Sequence, residues 1–174
     1  MPAESRIDEL KRRVHADPAS IAFAQLAEEY RRAGQLTEAV ETCRAGLALR
    51  PEFLSVRVTL ARALLALGEL DQASTELTDV IAASPVGNLA ATRALADTRR
   101  RQGRLDEALD QYRVALGLAP NDPDLERTVA DITDTLAAAA TRAAESRRAR
   151  AAAVVAALER WLEGLRAART NRLS

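Results

Sequence analysis

Covalent and acid-base chemistry have few residues to work with in this chain of 174 residues. Cysteine occurs once, at Cys43, so no internal disulfide can form, which fits a reducing compartment. Histidine also occurs once, at His15, with no cysteine or second histidine to share a metal ion. A general base would therefore have to be a carboxylate. There is no phosphate-cradling glycine loop, dinucleotide fingerprint, zinc-ligand spacing or Ser-His-Asp set. No catalytic residue, metal or cofactor is expected, and the chain reads as non-enzymatic. Cys43 falls at a helix-packing position and reads as a small buried apolar residue. His15 reads as an exposed helix-end residue, and Asp131, Thr133, Asp134 and Thr135 as the polar face of one helix. Only one Trp, two Tyr and two Phe stand in an apolar fraction dominated by alanine. That excludes a deep pocket walled by large side chains and favours closely packed helices.

Long apolar runs are missing as well. Nowhere do the ~18 uninterrupted apolar residues of a membrane span occur. The opening MPAESRIDELKRRV carries charges where a signal peptide needs an apolar stretch, so a cytoplasmic location is expected. Lysine is nearly absent: Lys11 is the sole one, and the arginine and alanine bias is that of a GC-rich bacterial genome. Net charge is zero, which argues against whole-molecule attraction to nucleic acid. The arginine clusters at 99–104 and 147–150 lack interleaved stacking aromatics, and no nucleic-acid partner is expected. The charge is unevenly spread. Residues 141–174 hold eight arginines against Glu145, Glu159 and Glu163, a balance of +5 that leaves −5 on the first 140.

What the chain does have is a repeat. Gly34, Gly68 and Gly103 lie 34 and 35 residues apart. Eight residues before them stand Leu26, Leu60 and Leu95, and seven before them Ala27, Ala61 and Ala96. Five after them come Ala39, Ala73 and Ala108, and seventeen after them Pro51, Pro85 and Pro120. Helical periodicity runs throughout without strand-like alternation, so the chain is expected to be all-α. In each repeat one helix precedes the glycine and a second follows it. The expected spans are 20–33 and 36–49, 54–67 and 70–83, and 89–102 and 105–118. The glycine ends the first helix in a left-handed conformation, and the proline stops the second. The alanines mark crossing points where antiparallel helices approach closely.

These residues resemble the tetratricopeptide repeat family. The resemblance is carried by Leu26-Ala27, Tyr30, Gly34, Ala39, Cys43, Gly46-Leu47 and Pro51. In the third copy it is carried by Leu95-Ala96, Gly103, Ala108, Tyr112, Ala115-Leu116 and Pro120. The middle copy, with Leu60-Ala61, Leu64, Gly68, Ala73, Leu77 and Pro85, is plainer but in register. The early aromatic of the family is Phe23 in the first copy but Arg57 and Thr92 in the others, and the tyrosine position holds Leu64 and Arg99. Arg57 and Arg99 are expected to turn to solvent. The resemblance implies a solenoid of helical hairpins, a right-handed superhelix, built from three repeats at 20–53, 54–88 and 89–122.

Residues 1–19 contain an expected capping helix over 4–16, with Ile7, Leu10 and Val14 on one face. After Asn121-Asp122-Pro123, an N-cap and a proline at the first helical position, a helical extension fills 123–174. Its first stripe, Leu125, Val129, Ile132, Leu136, Ala139 and Ala143, reads as a closing helix on the third repeat. The pattern fades near 145–150 and resumes, shifted, leaving a continuous helix and a hinge both open. After 145 the extension is basic and amphipathic. Val154, Val155, Leu158, Trp161, Leu162 and Leu165 form an apolar face beside Arg147, Arg148, Arg150, Arg160, Arg166 and Arg169.

Two candidate interaction sites follow. The family resemblance implies a concave groove lined by Ile21, Ala24, Glu28, Arg31 and Arg32, then Ser55, Val58, Arg62, Leu65 and Ala66, then Ala90, Arg93, Asp97, Arg100 and Arg101. Six of these fifteen are arginine, which suits a protein segment with acidic residues, over an apolar floor of Val58 and Leu65. Groove lysines and asparagines that clamp chaperone C-terminal carboxylates in part of the family are absent, so that role is not expected. The second site is the tail face of Val154, Leu158, Trp161, Leu162 and Leu165, open to packing on the repeats, to self-association as a homodimer, to docking of a partner, or to an anionic membrane surface. By resemblance the function is non-catalytic protein recognition, as adaptor, scaffold or chaperone-like module. The alternatives are a structural homo-oligomer assembled through the tail and a membrane-surface adaptor.

Overall fold

The structure, a computed structural model, describes residues 3–170 apart from Ala19 and Pro85, with the side chains of 3–5 and 167–170 also left out. The second repeat-ending proline of the pattern, Pro85, and the side chain of Arg169 therefore lie outside the described residues. Eight helices and no strand occur among those described. They are α1 (Ala3–Ala16), α2 (Ala22–Arg32), α3 (Leu36–Leu49), α4 (Leu54–Leu67), α5 (Leu70–Ala82), α6 (Leu89–Arg101), α7 (Leu105–Leu118) and α8 (Pro123–Thr170). The expected spans of the paired helices are met to within two residues at every end.

The chain divides into two compact units, Met1–Ala130 and Asp131–Ser174. In the first, α2 pairs with α3, α4 with α5 and α6 with α7 as antiparallel hairpins. The hairpins stack through α3 on α4, α5 on α6, and the row α2, α4, α6. Each hairpin is closed in the same way. Gly34, Gly68 and Gly103 have φ of 76°, 89° and 77°, a region open to glycine without a Cβ penalty. The next residue then donates its N–H back to the preceding helix: Gln35 to the Tyr30 carbonyl, Glu69 to Leu64 and Arg104 to Arg99, each at 2.9 Å. These are the 6→1 bonds of a Schellman motif, and they satisfy carbonyls that the helix end leaves unpaired.

Between the paired helices lie the expected alanines. Ala27, Ala39, Ala61, Ala73, Ala96 and Ala108 are all fully buried, each a place where a larger side chain would hold two helices apart. One bulky residue is accommodated by removing its opposite number. Phe23 in α2 is buried against Gly46 in α3, whose missing Cβ would lie 2.1 Å from the Phe23 Cδ2 atom. The ring also stacks on Phe53, with centroids 5.8 Å apart.

The two arginines at aromatic positions do not turn freely to solvent as expected. Arg57 Nη1 lies 2.8 Å from Glu76 Oε2, joining α4 to α5, and both side chains are about three-quarters buried. Arg99 Nε lies 3.4 Å from Glu107 Oε2, joining α6 to α7. An ion pair thus does in the second and third hairpins part of what aromatic packing does in the first. Thr92, at the third early-aromatic position, is buried and donates its hydroxyl to the Asn88 carbonyl at 2.9 Å, so its polar atom is satisfied.

Helix α1 buries Ile7 and Leu10, half-buries Val14 and packs on α2. Arg6 reaches Glu29 at 3.2 Å, and the Lys11 ammonium sits 5.7 Å from the Tyr30 ring centroid. Helix α8 starts as its sequence implies. The Asp122 carboxylate accepts from the N–H groups of Asp124 (3.0 Å) and Leu125 (3.2 Å), and Pro123 follows at the first helical position. Of the first stripe, Leu125 and Ile132 are buried and Val129 and Leu136 half-buried, while Ala139 and Ala143 are exposed. The question left open at 145–150 has a definite answer: α8 is one unbroken helix through that segment.

Candidate protein-binding groove

The first helix of each hairpin supplies one row of the groove. In α2 and its N-terminal residue, Ala24, Glu28 and Arg31 are half-buried, Ile21 and Arg32 exposed. In α4, Val58 is buried, Arg62 and Leu65 half-buried, Ser55 and Ala66 exposed. In α6, Arg93 and Asp97 are half-buried, Ala90, Arg100 and Arg101 exposed. The spacing of three and four residues puts each set on one helix face. Between α2 and α4 the surface sinks into a depression of about 330 Å³ whose lining includes Ile21, Ala24, Glu28, Arg32 and Ser55, with Arg6 of α1 at its edge.

The charges of this surface are largely committed to one another. Glu28 accepts from Arg31 at 2.9 and 2.8 Å and from Arg32 at 3.0 Å. The Arg31 hydrogen bonds hold the Glu28 carboxyl below its ordinary value and raise the Arg31 guanidinium in turn. Arg93 Nη1 lies 3.3 Å from Asp122 Oδ2, the cap of α8. Asp97 accepts from the Tyr112 hydroxyl of α7 and stands 3.8 Å from Arg100 Nη2. Burial and this carboxylate push the Tyr112 phenol well above its usual range. Arg101 donates to the Leu65 carbonyl. Arg62 makes no hydrogen bond or ion pair with any described residue.

Sequence reasoning missed a second depression, of about 310 Å³ and mostly apolar, lined by Val14, Pro18, Phe23, Leu26, Glu41, Gly46 and Leu49 among others. Its legible signals were the glycine at position 46 and the leucine at 49, which is exposed.

Cys43 is fully buried, and burial, with Glu28 and Glu76 adding to it, pushes its thiol up to about 12. A thiol so held is not a nucleophile at neutral pH. Among the described residues no group of three or more His, Cys, Asp or Glu could hold a metal ion, and no helix is long and apolar enough to cross a membrane. In the second unit, Val154, Val155, Leu158, Trp161, Leu162 and Leu165 lie along one side of α8 and are exposed, Trp161 at 62%.

Two family models of the tetratricopeptide repeat match the chain, one over residues 21–53 and the other over 58–123. The chain belongs to the tetratricopeptide repeat family. Tetratricopeptide repeats generally mediate protein–protein interaction, and the fold is typically a non-catalytic scaffold. Tetratricopeptide repeat protein 8 of Caenorhabditis elegans is 32% identical over 103 residues, which span 59% of this chain but only 20% of that protein. Among solved structures, a thermophilic tetratricopeptide repeat protein of Thermus thermophilus superposes with a TM-score of 0.64 at 27% identity, covering 73% of this chain and 71% of that one. MamA of Desulfovibrio magneticus RS-1 superposes with a TM-score of 0.70 at 19% identity, covering 76% and 75%, a likeness of fold.

Proposed function

We propose that this tetratricopeptide repeat chain is a non-catalytic adaptor or scaffold that holds an extended or helical segment of a protein partner along α2, α4 and α6. The observation that carries this reading is the composition of that surface. Half-buried Ala24 and Leu65 lie over buried Val58 among charged groups, with a depression opening at the α2–α4 end. Main-chain and apolar contacts along such a surface supply affinity, and the charges supply register and specificity.

The test is selection of displayed random dodecapeptides on the full chain, followed by binding measurements in solution. Groove-filling substitutions at exposed positions, Ala66→Tyr and Ala90→Tyr, should abolish binding of the selected peptides. Thr75→Tyr, at an exposed position of α5, should leave it unchanged. Selected peptides that bind Ala66→Tyr and Ala90→Tyr as well as the parent chain would sink the reading.

A second site is supported by the exposed face of Val154, Val155, Leu158, Trp161, Leu162 and Leu165. It reads as a docking or self-association surface, since six large apolar side chains along one helix face form the kind of patch that marks an interface. Light scattering across concentration separates these uses. A full-length dimer that becomes monomeric on Trp161→Ala identifies self-association, and a monomer at all concentrations assigns the face to a different partner.

A further inference from the structure

We propose that Arg62 is the anion anchor of the groove, seating one carboxylate of the partner segment beside apolar contact with Leu65. The inference rests on the groove reading above and makes it specific to one residue. Six groove arginines stand out in the sequence, but five are engaged within the fold. Arg31 and Arg32 share Glu28, Arg93 holds Asp122, Arg100 stands by Asp97, and Arg101 donates to the Leu65 carbonyl. Arg62 is half-buried at the centre of the middle row and has no partner among the described residues.

Half-burial makes that placement consequential. A guanidinium partly withdrawn from water gains more from a paired carboxylate than a fully exposed one does, because less of the attraction is screened. Its planar fork accepts a carboxylate through two parallel hydrogen bonds, which fixes register as well as adding affinity. Arg101 reaches from α6 to the Leu65 carbonyl of α4, so its charge is already engaged beside the middle row.

The corresponding positions of the neighbouring repeats are carboxylates, Glu28 and Asp97. Both are occupied, the first by Arg31 and Arg32 and the second by the Tyr112 hydroxyl. The pattern across the three rows is therefore a central cation between two internally satisfied anions. The partner it fits carries a single aspartate or glutamate with apolar residues three or four positions to either side in helical spacing.

Dodecapeptide selection on the parent chain, Arg62→Gln, Arg62→Lys and, as a control at an exposed arginine of α7 outside the groove, Arg113→Gln provides the test, each variant first shown by circular dichroism to keep the parent's helicity and melting. Peptides from the parent selection should carry one acidic residue flanked by apolar ones and bind Arg62→Gln at least tenfold more weakly. Their Glu→Gln counterparts should bind parent and Arg62→Gln equally. Arg62→Lys should keep part of the acidic preference, and Arg113→Gln nearly all of it. Selected peptides without an acidic residue, or an acidic preference that survives Arg62→Gln or vanishes in Arg113→Gln, overturn the assignment of Arg62 and leave the groove reading standing. Failure of every variant and the parent to enrich any peptide overturns both.

Discussion

Replacing Gly46 by alanine tests the packing argument most directly, because helix propensity and the structure give opposite signs. Gly46 lies inside α3, where Gly→Ala ordinarily stabilises by about 1 kcal/mol. The new Cβ, however, would stand 2.1 and 2.2 Å from the Phe23 ring atoms Cδ2 and Cε2 and 2.7 Å from Cγ. Carbon atoms pack at roughly 3.5–4.0 Å, so the ring has to retreat by more than about 1 Å. The ring is 1% exposed and stacked on Phe53, so a retreat toward the depression it lines beside Gly46 gives up that packing. Overpacking of well-filled cores costs about 1–3 kcal/mol, and an overlap of this size belongs at the upper end. Subtracting the propensity gain leaves a net loss of about 2 kcal/mol. Gly117 in α7 is the internal control, since a Cβ there meets nothing within 4 Å; Gly117→Ala should stabilise by about 1 kcal/mol. Urea unfolding followed by far-UV circular dichroism measures both, with slope and midpoint compared because repeats can unfold in parts. Adding Phe23→Leu to Gly46→Ala should recover part of the loss as a coupling energy. Gly46→Ala as stable as the parent chain would refute the reasoning.

Cys43 should resist a thiol reagent at pH 8 in the native protein and react at once in denaturant. Its thiol is pushed up to about 12, so above pH ~8.5 the unfolded chain ionises where the folded one does not, and stability should fall with rising pH less steeply in Cys43→Ala. Glu28 has the opposite sign: its folded carboxyl is depressed, so its contribution is present above the ordinary carboxyl range near pH ~4.3 and disappears as pH falls through the folded value. Thermal melts between pH 3 and 7 should therefore show a shallower acid loss for Glu28→Gln than for the parent. Asp122→Ala removes a helix cap that accepts from two N–H groups and is the partner of Arg93, and should cost about 1–2 kcal/mol in urea unfolding, more than Asp110→Ala at an exposed position of α7. A double-mutant cycle on Arg57 and Glu76 should give about 0.5–1 kcal/mol; a coupling of zero would return Arg57 to the solvent-facing role that its sequence position suggests.

The architecture was legible because its determinants are local and periodic. A glycine whose left-handed backbone closes a Schellman motif leaves the same mark at 34, 68 and 103, and alanines at helix crossings leave another. Even the Asp122-Pro123 start of α8 is written in consecutive residues. What escaped the sequence depends on residues far apart in the chain. Arg57 occupies an aromatic position, and only Glu76, nineteen residues later, turns it into an interhelical ion pair. The absence of a side chain at Gly46 has meaning only beside Phe23, whose ring fills the space. Continuity of α8 through 145–150 was undecidable from periodicity, since a register shift in the apolar stripe is compatible with an unbroken helix.

The groove shows the same division in its charges. Spacing from the glycines is enough to name the positions, because the face a residue occupies follows from helical geometry alone. Whether an arginine at such a position is available to a ligand follows from geometry in three dimensions. Arg93 is committed to a cap residue 29 positions away, and Arg101 to a carbonyl 36 positions away. Counting arginines therefore overstates what the surface can offer an acidic partner. Removing an engaged arginine changes binding and also strands a carboxylate or a cap, so losses on Arg93→Gln would mix recognition with stability. Arg62 is the position where the two separate: its removal leaves no described partner behind, and any loss of acidic preference there reports recognition itself.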